Sequence, residues 1–146
     1  MPKMIFVNLA VADVEKSAAF YEAVGFTRDQ RFSRPGSAAA MTWSDTIAFM
    51  LLSPEHFANF TSKTIIDARS SVEALLCLSR DSRADVDAIV EAAHAAGGKA
   101  DPCPTQDHGI MYGRSFEDLD GHVFEPMWMD LEAALAAMGS QQTEAA

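Results

Sequence analysis

The sequence predicts a mixed α+β fold built from two consecutive βαβββ modules. Three observations predict it. The same order of elements reads twice along the chain. An aspartate that follows a strand and introduces a helix, first Asp13 and then Asp81, recurs at nearly the offset that separates the glycines ending those helices, Gly25 and Gly97. The large apolar residues gather in short runs at 4–11, 47–52, 72–78 and 123–129, which is strand length rather than helix length. Identity between the halves is low, so the repeat is one of pattern.

In the first module, Ile5 to Val11 is rich in β-formers and makes one strand. Asp13 takes the N-cap position, and Val14, Ala18, Tyr21 and Val24 follow at helical spacing. Gly25 closes that helix. Phe26 to Arg34 is a second strand, ended by Pro35-Gly36, and Ala38 to Trp43 and Thr46 to Leu52 are two more around a Ser44-Asp45 turn. Pro54 to Phe57 starts a helical turn with proline in its first turn. The Ser- and Thr-rich stretch from Thr61 to Ser71 is the connector.

The second module opens with a strand at Glu73 to Ser79. Ser82 with Asp85 has the S-x-x-D form of a capping box, and Val86, Ile89, Val90 and Ala93 mark an amphipathic helix that stops at Gly97-Gly98. Lys99 to Cys103, Ile110 to Glu117 and His122 to Met129 are strands, the last two joined by the Asp118-Leu119-Asp120-Gly121 turn. The expected division is one domain over 1–138: module one at 3–53, linker 54–72, module two 73–130 and a terminal helix 130–138. A flexible tail is expected at 139–146.

Composition agrees with this size. The chain has 146 residues, suited to one domain. Hydrophobic residues make up 49%, enough for a core, although 25 of them are alanines, which bury little area each. The net charge of −10 excludes a phosphate-backbone or anionic-membrane partner, since both need Lys and Arg. No apolar run reaches the roughly 18 residues of a membrane span. The N-terminal residues lack the apolar stretch and cleavage site of a signal peptide. Cys77 and Cys103 form neither a metal-finger spacing nor a disulfide framework. A cytoplasmic protein is expected.

Three stretches then resemble one superfamily. Val11-Ala12-Asp13-Val14-Glu15-Lys16-Ser17-Ala18-Ala19-Phe20-Tyr21 is similar to the first strand–helix junction of the vicinal oxygen chelate proteins, which include glyoxalase I, extradiol dioxygenases and bleomycin-resistance proteins. Asp118-Leu119-Asp120-Gly121-His122-Val123-Phe124-Glu125 resembles their D-P-D-G-x-x-x-E signature, with Leu119 in place of proline, and Ala95-Ala96-Gly97-Gly98 resembles the end of their second helix. Lys3 to Leu9, Met50-Leu51-Leu52 and Gln106 to Phe116 are similar to a bacterial subgroup related to lactoylglutathione lyase.

The resemblance implies a glyoxalase-like fold, with the strands curled into a U-shaped cavity around one divalent ion. It places the four ligand positions at Phe6, Met50, Leu75 and Glu125. Phenylalanine and leucine supply no lone pair, and methionine sulfur suits soft Cu(I) rather than Zn, Ni or Fe(II). No metal or cofactor is therefore expected at the family position. The remaining metal candidates, His56, His108, His122 and Glu125, would have to form a non-standard site. His122 and Glu125 face opposite sides of a regular strand, so both could coordinate only across a bulge.

Alternation puts Val123, Glu125, Met127 and Met129 on one strand face. The resemblance makes this the cavity face and adds Phe6, Asn8, Met50, Leu75 and Cys77. The expectation is an apolar pocket with one carboxylate, Glu125, as a general base. His108, Tyr112 and Arg114 are expected at the mouth, where arginine suits an anionic or carbonyl substrate. The corresponding function is a metal-independent, lyase- or isomerase-type reaction on a small oxygenated compound. A binding protein that sequesters its ligand is the alternative, and metal-dependent lactoylglutathione lyase or extradiol dioxygenase activity is disfavoured by the ligand positions. A homodimer is implied by the resemblance.

Overall fold

The structure, a computed structural model, describes residues 2–145, with backbone alone considered for 140–145. Each half of the chain forms a βαβββ unit. In module one these are β1 (Ile5–Ala10), α1 (Val14–Ala23), β2 (Thr27–Arg34), β3 (Ala38–Ser44) and β4 (Ile47–Leu52). The sheet order is β1-β4-β3-β2, and β1 lies parallel to β4. Helix α1 starts where Asp13 accepts the Lys16 amide at 3.0 Å, and the chain leaves it through Gly25 at φ 107°. A short α2 (Pro54–Phe57) follows, capped by the Ser53 hydroxyl.

Module two repeats the plan with β5 (Leu75–Ser79), α3 (Arg83–Ala95), β6 (Lys99–Ala100), β7 (Gln106–Asp107), β8 (Met111–Gly113), β9 (Phe116–Glu117) and β10 (Val123–Met129). Parallel β5–β10 pairing matches parallel β1–β4 pairing. The expected strand from Ile110 to Glu117 is divided into β8 and β9, yet both pieces keep one register against β10. The break falls opposite Pro126. The Arg114 amide donates to the Pro126 carbonyl, but proline has no N–H to donate in return, so the ladder lapses there. Of the strand expected from Lys99 to Cys103 only its start forms, as β6, and a further short strand, β7, follows at Gln106–Asp107 where none was expected.

The final helix, α4 (Leu131–Ala145), runs well past the expected end at 138. Gln141, Gln142, Glu144 and Ala145 are good helix formers and continue the backbone past Gly139 and Ser140, through the stretch expected to be a flexible tail. Ala146 lies outside the described residues. Among the described residues, no helix is long and apolar enough to cross a membrane.

The helix-facing sides of both sheets meet in one core. The Phe49 and Phe124 rings, one from each module, lie 5.6 Å apart, and Phe116 stacks on Phe124 at 5.1 Å. From α1, Tyr21 meets Phe124 edge-on at 5.7 Å and Phe20 meets Phe116 at 6.3 Å. Burial of these rings from both halves is what makes two small modules one folding unit. It also turns the opposite face of each sheet away from the core.

Candidate functional site

Glu125 stands on the outward face of β10. Pairing sets Cys77 directly beside it and Leu75 beside Val123, while Met127 follows along the same face. On the other sheet, pairing sets Asn8 beside Met50, with Phe6 one pleat away. The alternation predicted for the last strand therefore holds along β10: Phe124 and Pro126 are buried, Glu125 and Met127 half-buried. Phe6 remains 54% exposed and Leu75 56%, so these faces are open in the single chain. The Glu125 carboxylate has no hydrogen-bond or ion-pair partner among the described residues. Burial, and then the neighbouring Glu125 charge, push the Cys77 thiol up from its ordinary value, which keeps it protonated at neutral pH.

Tyr112 and Arg114, expected with His108 at the mouth of the Glu125 face, lie on the α3 side of the sheet. Tyr112 pairs with Trp128, on the opposite face from Glu125, and its hydroxyl donates to Asp87 at 2.6 Å. Arg114 donates to Asp101 twice, at 3.0 and 2.7 Å, to Asp87 at 3.0 Å and to Glu91 at 3.1 Å. Three carboxylates of its own chain thus take the fork that an incoming anion would need. The Tyr112 hydroxyl, and then Arg114, hold the Asp87 carboxyl below its ordinary value, and Arg114 does the same to Asp101. His108 is exposed and rests beside Gln106 at 3.2 Å. Its neighbour Asp107 is clamped by Arg83 at 2.7 and 3.1 Å, which holds the carboxyl down at about 2. The same Arg83 lies over the rings of Tyr112 and Trp128.

Among the described residues, no three His, Cys, Asp or Glu side chains come together as a metal would require. His56 packs edge-on against Phe60, and the His122 Nε2 meets the Ala10 carbonyl at 2.9 Å. That carbonyl can only accept, so Nε2 carries the hydrogen. With Phe6, Met50 and Leu75 at three of the four strand positions, the donor set does not fit a divalent ion.

The Asp118–His122 turn has more to do than connect strands. The buried Asp118 carboxylate accepts the Tyr21 hydroxyl at 2.6 Å and the amides of Asp120 and His122 at 3.0 and 2.9 Å. Asp120 accepts the Ala12 amide at 2.9 Å. With His122 on Ala10, this one turn grips module one at three points. Desolvation nevertheless raises the Asp118 carboxyl above its ordinary value, and burial raises the Tyr21 phenol further. The sequence shows these residues as a turn; nothing in it marks their distant partners.

A concavity of about 570 Å³ lies between β1, the connector and the starts of β5 and β10. Of the residues expected on the cavity face, Asn8 and Val123 line it; Phe6, Met50, Leu75, Cys77, Glu125 and Met127 do not.

The fold and its two outward faces define a paired-module protein of the glyoxalase-like class. The chain belongs to the glyoxalase/bleomycin resistance protein/dioxygenase superfamily, whose sequence profile matches residues 3–125. A hypothetical protein from S. aureus is 30% identical, with a TM-score of 0.72 over 88% of this chain and 94% of that one. A glyoxalase/bleomycin resistance protein/dioxygenase family enzyme from Burkholderia phytofirmans PsJN is 23% identical, with a TM-score of 0.70 over 88% and 99%. A lactoylglutathione lyase from Agrobacterium tumefaciens shares the fold at 16% identity, with a TM-score of 0.62 over 88% and 94%. No curated protein matches the chain.

Proposed function

We propose that this protein binds a small oxygenated compound on the Glu125 face and catalyses a lyase- or isomerase-type proton transfer with Glu125 as general base, without a metal at the strand positions. The observation that carries this reading is the unpartnered Glu125 carboxylate beside Cys77 and Met127. A base must have its lone pairs free to take a proton, and no side chain among the described residues occupies those of Glu125. Phe6, Met50 and Leu75 supply apolar contact where relatives use ligands. A second copy of the chain closes the site, covering the exposed Phe6 and Leu75 faces. The free Cys77 and Cys103 suit the reducing cytoplasm.

The test is proton exchange followed by NMR in heavy water, with small α-hydroxy and α-keto carbonyl compounds as substrates. Deuterium incorporation that survives a chelator and is lost in Glu125→Gln supports the reading. Exchange that requires added Zn²⁺ or Ni²⁺ overturns it. A copurified ligand that binds Glu125→Gln as tightly and is never turned over would establish sequestration instead.

A further inference from the structure

We infer that the cleft roofed by the connector is a second binding site, for a small aromatic or branched-apolar molecule bearing one carboxylate. Its volume of about 570 Å³ is that of a small-molecule site. Its walls include three side chains that the folded chain leaves in water: Phe60 at 70% exposure, Ile66 at 51% and Val72 at 63%. Leu76 and Val123 of the second module also line it, so its apolar wall is drawn from both the connector and module two. Apolar side chains held open around a concavity gain from an occupant that removes them from water.

The roof is pinned in place. Arg69 donates from Nη2 to the Leu119 carbonyl at 3.1 Å, and its amide bonds Asp67 at 3.0 Å. Gly121 packs so closely under the roof that a Cβ there would stand 2.9 Å from the Ala68 carbonyl carbon. A preformed cleft spares a ligand the entropy of ordering its own walls.

The polar groups choose the ligand. Lys63 and Asn8 line the cleft, and neither side chain has a partner among the described residues. They offer a cation and an amide donor to one carboxylate, in the manner of charge-assisted recognition. Glu73 lines the same cleft and forms no ion pair with Lys63. It therefore leaves the ammonium free and weighs against a second negative charge on the ligand. This cleft meets the outward faces at Asn8 and Val123 but includes none of Phe6, Leu75, Cys77 or Glu125, so substitution of Lys63 tests it separately from the proposed reaction.

The experiment is amide NMR titration of the full chain with 2-naphthoate, and with 2-naphthalenemethanol as the neutral comparison. Naphthoate is expected to shift Asn8, Lys63 to Ile66, Val72 and Val123 and to leave Cys77 and Glu125 in place. Lys63→Gln should weaken it about tenfold, as loss of one charge-assisted bond implies. Glu73→Gln should tighten it, and the alcohol should respond to neither change. Three results would each overturn the site: no shifts in the cleft at millimolar naphthoate, shifts confined to the Glu125 face, or unchanged affinity in Lys63→Gln. Both substitutions are at exposed side chains, so the fold is not at risk.

Discussion

The Tyr21 phenol donates a 2.6 Å hydrogen bond to the buried Asp118 carboxylate, tying the first helix of one module to the last turn of the other. Tyr21 is fully buried and Asp118 nearly so, at 4% exposure. Tyr21→Phe keeps the ring packing and deletes this bond alone. It should cost about 1.5–3 kcal/mol, the range for a hydrogen bond to a charged group, read as a lower urea midpoint with an unchanged slope.

The same pair sets a pH dependence. The Asp118 carboxyl is raised above its ordinary value of 3.8, so the folded state takes up this proton before the unfolded chain does. As pH falls through that raised value towards 3.8, Asp118 adds stability rather than losing it. A carboxyl ¹³C titration should place its midpoint above 3.8. The midpoint should rise again in Tyr21→Phe, which removes a bond that favours the charged form.

Asp107 behaves in the opposite way. Held at about 2 by Arg83, it contributes stability at neutral pH that is lost as pH falls from 3.8 through 2. Its NMR midpoint should return towards 3.8 in Arg83→Gln. A midpoint that stays near 2 would show that the Gly109 amide, not the guanidinium, is the main cause.

Gly121 has φ 97°, and the connector backbone stands 2.9 Å from where its Cβ would be. Gly121→Ala is both strained and crowded, and should cost about 1–3 kcal/mol. The loss should appear as a lower Tm together with faster amide exchange at Ala68 and Arg69.

If a second copy closes the Glu125 face, sedimentation should give a dimer for the wild type. Leu75→Glu should give a monomer with the wild-type circular dichroism spectrum, because Leu75 is 56% exposed and bears no part of the core. A wild-type monomer would rule out closure by a second copy.

Much of the fold is legible in the sequence because its signals are local. Asp13 and Ser82 cap helices through amides three residues on, and Gly25 and Gly97 leave them at positive φ. The period-two pattern places Glu125 outward and Phe124 inward without any knowledge of a partner strand. Pro126 also carries its consequence in the sequence, since a missing N–H must interrupt one ladder, but which strand it would interrupt depends on the pairing.

Tertiary structure decided the rest. Tyr112 and Arg114 read as an anion site only until α3 brings Asp87 and Glu91, and the β6 end Asp101, within bonding distance. The connector reads as a polar loop, yet its path over β1 turns Phe60, Ile66 and Val72 into the wall of a cleft. The sequence by itself determined the paired modules, the caps and the outward Glu125, because backbone propensity and strand periodicity act between near neighbours. Only the folded chain decided which charges are already neutralised and where the space lies, because Coulomb pairing and shape join residues far apart along the chain.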